Sequence, residues 1–315
     1  MLRRFISCRL LGLCAILIAL TAGCAPAAGA GDTQAGGAQA QPLGSGPCAQ
    51  AGPAHDVSIA LQSEGHARSA VLHLPRAASG RALALLVAFH GWGSSGAQFE
   101  RETGLDALAN RQGFAVLYPS SAGTSWRISG PPTDVAFTTT LLARVEALAC
   151  IDLRRVYVTG LSNGAGMAAR LACEASPLIA GVVPIAGYYG SLAPCEPAQP
   201  VSLLEIHGTD DAVVPYDSEG ANGGGTALGF AAGWAARDGC AHEPTRVGVA
   251  PHAALYRWTG CAEGVRVEQL TLYGVGHGLP GAPGALVRAP GLATISGIGV
   301  VWSFLAPIVL AAPPA

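Results

Sequence analysis

The feature that most limits the fold of this chain is a regular alternation of short apolar segments with segments of helical pattern. The segment ALALLVAFHG is apolar throughout, which is typical of a strand covered on both faces of a sheet. Similar segments recur as FAVLYPS, RVYVTG, GVVPIAG, VSLLEIHG and VEQLTLYGVG, after an opening pair DVSIAL and SAVLHLP. This alternation predicts an α/β domain with a mostly parallel sheet flanked by helices.

Helical patterns separate most of these strands. FERETGLDALANRQG predicts one helix ending at Gly113, and DVAFTTTLLARVEALAC predicts a helix with Asp134 as its N-cap. GMAARLACEA, LGFAAGWAARDG and ATISGIGVVWSFLA predict three more. Pro307 interrupts the last apolar run, which is short for a membrane span, so we expect a helix that packs on the sheet.

The N-terminus has the pattern of an export signal. Three arginines precede an apolar run, and LTAGC then resembles the lipobox of bacterial lipoproteins, in which the cysteine, here Cys24, is lipidated after cleavage. Thr21 departs from the commoner Leu or Val, so ordinary secretion with cleavage near Ala30 stays an alternative. Either way the mature protein is expected to be exported, and as a lipoprotein it would meet the membrane only through its anchor, at the cell surface or in the periplasm.

The domain organisation follows from composition. We interpret residues 1–23 as a lipoprotein-type signal peptide and residues 24–52 as a flexible tether rich in Ala, Gly and Pro. Residues 53–315 then form a single folded domain. Only 12% of the chain is charged and its net charge is −2, so no nucleic-acid partner is expected, while nothing determines the oligomeric state.

Six cysteines remain beyond Cys24, an even number that suits an exported protein. Six cysteines allow 15 pairings, of which two are local in sequence, Cys173–Cys195 and Cys240–Cys261. Cys48–Cys150 follows only by elimination. The sequence has no CxxC or HExxH motif, so no metal site is predicted.

The segment GLSNG matches the pattern G-x-S-x-G around Ser162. Alone the pattern is weak, but here it follows the apolar segment RVYVTG and opens the helix GMAARLACEA. A strand, turn and helix in this order are the setting of a nucleophile elbow in the α/β-hydrolase fold. Ser162 is therefore the candidate nucleophile.

A serine hydroxyl needs a base and an orienting acid, which in α/β-hydrolases follow in the order Ser, acid, His. VSLLEIHG is followed by Asp210 and Asp211, both candidates for the acid. The last strand is followed by His277 between two glycines, whereas His242 and His252 lie in polar loops. His277 is the candidate base.

An oxyanion hole requires two backbone N–H groups. We expect one from Asn163, which follows the nucleophile, and one from Trp92 in the turn after ALALLVAFHG. His90 in the same turn is expected to have a structural role.

Four segments together resemble the polyhydroxybutyrate depolymerase and feruloyl esterase family of secreted serine esterases: VAFHGWGSSGAQFE, RVYVTGLSNGAGMAARLACE, EIHGTDDAVVPY and GHGLPG. The resemblance implies a carboxylic ester hydrolase with a Ser-His-Asp triad, an acyl-enzyme and no cofactor, which makes residues 53–315 a catalytic domain. The family pattern HGTxDxxVPY assigns the acid to Asp211, and His207 before it is interpreted as a strand-end residue.

The family usually has Trp where this chain has Leu279, so other aromatic residues are candidates for substrate binding: Trp126, Tyr216 and Trp258, besides Trp92. The expected partner is a small or oligomeric ester. Two alternatives stay open, an acyltransferase using the same triad and a non-catalytic surface lipoprotein.

Overall fold

The computed structural model describes residues 53–76, 81–190, 192, 196–217, 225–250, 252–279 and 296–310. All of them belong to one unit, which runs from residue 47 to residue 315. The predicted signal peptide (1–23) and tether (24–52) lie outside the described residues.

A ten-stranded sheet forms the centre of the domain, in the order β1-β2-β4-β3-β5-β6-β7-β10-β9-β8. The strands are β1 (His55–Ser63), β2 (His66–Leu74), β3 (Leu83–Phe89), β4 (Phe114–Pro119), β5 (Ile151–Leu161), β6 (Gly181–Ile185), β7 (Ser202–Gly208), β8 (Thr245–Ala250), β9 (Ala253–Trp258) and β10 (Val267–Leu272). The six central strands from β4 to β10 are parallel, and antiparallel strands extend both ends. The predicted parallel sheet is confirmed.

Helices cover both faces of this sheet: α1 (Gly96–Thr103), α2 (Leu105–Gln112), α3 (Thr133–Leu148), α4 (Asn163–Glu174), α5 (Ala227–Arg237) and α6 (Gly297–Leu305). Two clusters of buried apolar side chains fill the space between the helices and the two faces. Within the described part of the chain, no helix is both long and apolar enough to cross a membrane. The C-terminal apolar run forms α6, whose Trp302 stacks on Phe114 of β4 at a ring distance of 3.7 Å.

The prediction of a single helix before Gly113 is wrong, because Gly104 divides it into α1 and α2. Gly104 adopts a φ of 71°, a left-handed conformation that interrupts the helical backbone and that glycine accepts without steric cost.

The prediction of Asp134 as an N-cap is also wrong. Pro132 precedes the first helical residue of α3, and Asp134 lies buried inside its first turn. The carboxylate forms an ion pair with Arg68 at 2.7 Å and accepts a hydrogen bond from the Arg127 N–H at 2.8 Å. The Arg68 guanidinium also lies 3.7 Å above the Phe137 ring. Asp134 therefore joins β2, α3 and the loop before α3.

The structure contains the Cys240–Cys261 disulfide, which links the end of α5 to the residues after β9. Cys150 and Cys173 are also disulfide-bonded. Their predicted partners and the predicted lipidation site lie outside the described residues: Cys48, Cys195 and Cys24.

The buried ion pair predicts a large effect of Asp134→Ala on stability. Removing one partner leaves the other charge buried, which costs about 3–5 kcal/mol, whereas losing an N-cap costs about 1 kcal/mol. Urea unfolding measures the difference, with Asp152→Asn, an aspartate that accepts a local hydrogen bond from the Arg154 N–H, as the control. A loss near 1 kcal/mol for Asp134→Ala would contradict the role of the ion pair.

Candidate active site

Ser162 lies in the sharp turn between β5 and α4, with φ 59° and ψ −119°. A positive φ is unfavourable for a residue with a side chain, and it occurs here at the residue that the motif singles out. The Ser162 N–H donates to the Ile185 carbonyl at 3.0 Å, and its carbonyl accepts from the Tyr188 N–H at 3.1 Å. The end of β6 and the following residues therefore help to hold the strained turn.

The two glycines of the motif allow this turn to close. A Cβ at position 160 would overlap the backbone of Gly164, and a Cβ at position 164 would overlap the carbonyls of Phe89 and His90. Strand β5, helix α4 and the end of β3 thus approach one another more closely than any side chain permits. This contact explains why both flanking positions are glycine.

Asp211 and His277, the candidate acid and base, contact each other. His277 Nδ1 lies 2.7 Å from Asp211 Oδ2. The other carboxylate oxygen, Oδ1, accepts hydrogen bonds from the N–H groups of Val213 and Val214, both at 2.8 Å. Burial alone would raise the pKa of Asp211, but hydrogen bonds from His207, His277 and the Val214 N–H hold it well below its usual range.

Backbone contacts tie together the two loops that contain this pair. The Asp210 N–H donates to the Val275 carbonyl at 3.0 Å, and the Thr209 N–H donates to the Leu272 carbonyl at 3.0 Å. A Cβ at Gly208 would overlap the backbone of Val275, so here too glycine permits close approach. These backbone contacts thus set the spacing of the loops that carry Asp211 and His277.

Ser162, Asp211 and His277 all follow the carboxyl ends of parallel strands, β5, β7 and β10, and therefore lie at one edge of the sheet. The structure brings Asp211 and His277 into contact. Among the described residues, no hydrogen bond yet joins Ser162 Oγ to His277. Such bonds are often long without substrate and shorten in the reacting complex.

The turn after β3 lies against the nucleophile: a Cβ at Gly91 would be 3.7 Å from Ser162 Cβ. The N–H of Trp92 has no acceptor among the described residues, and Asn163 is the first residue of α4, where no helical carbonyl is available to its N–H. The two candidate N–H groups therefore belong to Asn163, the residue after Ser162, and to Trp92, the residue after Gly91, which lies against Ser162. The Trp92 side chain is 73% exposed.

His90 holds this turn in place. Its Nδ1 lies 2.7 Å from the Gly91 carbonyl, and its Nε2 accepts from the Ser121 N–H at 3.1 Å. Burial lowers the pKa of His90, which favours the neutral ring that these two partners require. The structural role predicted for His90 agrees with this geometry.

Trp126 does not line the cleft, because it is 2% exposed and lies beneath the nucleophile turn. Its N–H donates to Asn163 Oδ1 at 2.7 Å, and its indole Nε1 donates to the His90 carbonyl at 2.9 Å. Trp126 therefore supports Asn163 and the turn that contains His90, the two segments expected to supply the oxyanion hole. The prediction of a substrate contact for Trp126 is wrong.

The predicted substrate contact of Trp258 is wrong as well. Trp258 is 3% exposed and pairs with Val267 at the amino end of β10, the edge opposite His277. Tyr216 is half-buried near the acid, where its hydroxyl bonds Thr271 Oγ1 at 2.8 Å and its ring meets the edge of His207. Leu279, where the family usually has Trp, is buried in an apolar cluster.

Sequence reasoning missed a buried polar group behind Asp211. Glu205 and His207 on β7 contact each other at 2.9 Å, and Gln269 of β10 donates to Glu205 at 3.1 Å. The segment VSLLEIHG could have indicated this group, because Glu205 and His207 interrupt an otherwise apolar strand. Residues two positions apart on a strand share one face of the sheet.

Asp56, His73 and Asp106 form a separate cluster, with one ligand atom of each within 4.8 Å of the others. His73 Nδ1 lies 2.6 Å from Asp56 Oδ1. Two ligands of one zinc ion lie about 3 Å apart or more, so this contact is a hydrogen bond rather than half of a metal site.

Comparison with known structures supports the fold. The chain superposes on the acetyl xylan esterase from Aspergillus awamori with a TM-score of 0.59, at 15% identity, over 79% of this chain and 99% of that one. A six-stranded parallel centre, a strained serine between strand and helix, and an acid–base pair at the same edge define an α/β-hydrolase.

Sequence comparison narrows this class. The family described as "Esterase PHB depolymerase" matches residues 68–192. NocK of Nocardia uniformis subsp. tsuyamanensis, an esterase by name, is 31% identical over 72% of this chain and 74% of its own length. Feruloyl esterase B of Piromyces equi is 29% identical over 67% of this chain, which spans 42% of that enzyme. The chain belongs to the polyhydroxybutyrate depolymerase and feruloyl esterase family, whose members are carboxylic ester hydrolases.

The close approach at Gly164 predicts the effect of Gly164→Ala. The added Cβ must displace the backbone of β3 or α4, so we expect a loss of unfolding free energy of about 2 kcal/mol or more. We also expect labelling of Ser162 by a fluorophosphonate to slow at least about tenfold, because the strained turn opens. Gly123→Ala, where the Cβ meets nothing within 4 Å, is the matched control. Equal labelling rates in the two variants would contradict this account of the turn.

Proposed function

We propose that this protein hydrolyses carboxylic esters through a triad of Ser162, His277 and Asp211 and an acyl-enzyme intermediate. The observation that supports it best is the strained Ser162, at φ 59°, on the same edge of the sheet as the 2.7 Å contact between Asp211 and His277. Strain persists in folded proteins where the surrounding structure enforces it, and it concentrates at functional sites.

The proton positions follow from the contacts. His277 Nδ1 faces an ionised carboxylate and therefore carries a proton, which leaves Nε2 as the base. In the proposed reaction, Ser162 Oγ attacks the ester carbonyl as its proton passes to Nε2, and that proton then goes to the leaving alcohol. Water repeats the sequence on the acyl-enzyme and releases the acid. Asp211 keeps the ring oriented and stabilises its charged form.

The backbone N–H groups of Trp92 and Asn163 are the proposed oxyanion hole. Both lie next to Ser162, and the second is at the N-terminus of α4, where the helix dipole favours negative charge. Removal of one such donor costs about 3 kcal/mol of transition-state stabilisation in comparable enzymes.

The proposed substrate is a small or oligomeric ester with an apolar acyl or alcohol part. Two large apolar side chains are exposed beside the site, Trp92 at 73% and Val213, two residues after Asp211, at 62%. Tyr216 is a further candidate contact, because it is half-buried near the acid. The names of the relatives point to feruloyl and acetylxylan esters, and that of the family to 3-hydroxybutyrate esters.

Ser162→Ala tests the nucleophile and the substrate class together. We expect it to lower kcat/KM by at least about 10⁴-fold on methyl ferulate or on a 3-hydroxybutyrate trimer, whichever the wild type turns over. The faster substrate identifies the branch of the family. Turnover by Ser162→Ala at the wild-type rate would contradict the triad.

A second arm of this experiment adds an alcohol acceptor and separates the products by chromatography. Release of free acid at an unchanged rate supports hydrolysis. Formation of a new ester as the main product would show an acyltransferase instead.

We further propose that the protein is exported and held at a membrane by a lipidated Cys24, on the basis of LTAGC after an arginine-led apolar run. In a bacterial host we expect Cys24→Ala to move the esterase from the membrane fraction to the soluble fraction of the cell envelope or the medium. Ala30→Val, beside the alternative cleavage position, is the control. A soluble wild type would contradict the anchor and favour ordinary secretion.

A further inference from the structure

His207 and Glu205 form a buried charged pair directly behind the proposed acid. They stand two residues apart on β7, so their side chains share one face of the sheet. Glu205 is 0% exposed and His207 is 2% exposed. Charged residue types are rarely buried this deeply unless they are paired. Replacing a whole buried ion pair by apolar residues is often neutral for stability, so the presence of this pair suggests a role beyond packing.

The partners of His207 fix its protonation. Nδ1 lies 2.9 Å from Glu205 Oε1, and Nε2 lies 2.8 Å from the Val214 carbonyl and 3.4 Å from Asp211 Oδ2. A carbonyl oxygen can only accept, so Nε2 must carry a proton. Nδ1 faces a carboxylate, so the second proton lies within the contact between His207 and Glu205.

The surroundings of Glu205 place that second proton on His207. Tyr189 OH donates to Glu205 Oε1 at 3.3 Å, and Gln269 Nε2 donates to Oε2 at 3.1 Å. Thr271 orients Gln269 by donating to its Oε1 at 2.8 Å. Donors therefore surround both carboxylate oxygens, which favours the imidazolium form of His207.

The raised pKa of His207 agrees with this geometry. Burial alone would lower the pKa of His207, but the Glu205 carboxylate and the hydrogen bonds to Asp211, Glu205 and the Val214 carbonyl raise it to about 10. Other titratable groups near the two residues are the His277 ring, across Asp211, and the Tyr189 and Tyr216 hydroxyls, which are neutral because burial raises the pKa of both.

We propose that His207, held by Glu205, is a positioning residue of the active site: a protonated imidazolium that anchors the loop carrying Asp211 and keeps that carboxylate aimed at His277. The same ring contacts Asp211 Oδ2 and the carbonyl of Val214, while the N–H of Val214 binds Asp211 Oδ1. His207 therefore fixes both the carboxylate and the loop. This role rests on the proposed function, since it acts only through Asp211 and His277.

The role has a consequence for the base. Asp211 Oδ2 lies between two imidazole rings, at 2.7 Å from His277 Nδ1 and 3.4 Å from His207 Nε2. A positive charge on His207 disfavours a second positive charge on His277. Removing it should shift the acidic limb of the rate profile to higher pH.

The test compares two variants of the full chain, His207→Gln and the double variant Glu205→Gln/His207→Gln. The double variant leaves no unpaired carboxylate at position 205 and therefore covers the case in which the single variant does not fold. His73→Gln is the matched control, because His73 is also a buried histidine hydrogen-bonded to a carboxylate, on β2 away from the site.

We expect kcat to fall about 10–100-fold in each folded variant with KM changed less than about twofold, as for other residues that orient a catalytic ligand or base. The acidic limb of kcat/KM should move up by about half a pH unit or more in His207→Gln, and in the same direction in the double variant. Folded variants that keep the wild-type kcat and pH profile would overturn the proposal, as would an equal shift in His73→Gln.

Histidine side-chain NMR of the full chain tests the protonation separately. The His207 signals, assigned by their loss in either variant, should remain those of an imidazolium from pH 6 to pH 9. A neutral His207 at pH 7 would overturn the proposal even if activity falls. A wild type without Ser162-dependent turnover would instead contradict the proposed function itself, and the role of His207 with it.

Discussion

The close backbone contact around Ser162 is the constraint on which the site depends. Glycine at positions 160 and 164 lets β5, α4 and the end of β3 approach to distances that exclude any side chain. This approach forces Ser162 into its positive φ, and it also brings the turn that contains Trp92 next to the nucleophile. One steric contact therefore sets two parts of the site, the exposed hydroxyl and the candidate oxyanion donors.

The acid and base depend on a second contact of the same kind. Gly208 ends β7 against the backbone of Val275, and the hydrogen bonds from Thr209 and Asp210 join the two loops at that point. The spacing of the two loops that carry Asp211 and His277 is thus set by backbone contacts. Side chains alone would have to lose much more rotamer freedom to hold the same geometry.

The parts of the fold that could be predicted are those with a local signal. Uninterrupted apolar segments predicted the central strands. Parallel strands have their carboxyl ends at one edge of the sheet, and Ser162, Asp211 and His277 each follow such a strand, so their common location could be predicted as well. β8 and β9 were missed. Arg246 and Val247 of β8 are exposed in an antiparallel edge strand, so β8 gives no apolar run. Gly104 was read as part of a helix because its φ is not visible in the sequence.

The errors at the site have a different cause, since they concern which side of an element a side chain faces. The sequence does not show which way Trp126 and Trp258 face, and tertiary packing buries both. Trp126 lies beneath the turn that contains Ser162, and Trp258 lies at the end of β9 that pairs with the amino end of β10. Asp134 had the right residue type for a helix cap, but Arg68, 66 positions earlier in the chain, takes its carboxylate into the core. A local sequence pattern cannot reveal a partner that is so far away along the chain.

Buried charge is the feature that links these missed contacts to function. The Arg68–Asp134 pair is compensated within itself, so we expect its effect to be on stability. The group around Asp211 differs, because two carboxylates, Glu205 and Asp211, face one imidazolium, and His277 is left to supply the second positive charge. Such an arrangement is nearest to electrical balance when His277 is protonated, which is its state in the proposed attack on the ester carbonyl. The protein therefore places an excess of negative charge where positive charge develops in the proposed reaction, and His207 offsets part of that excess.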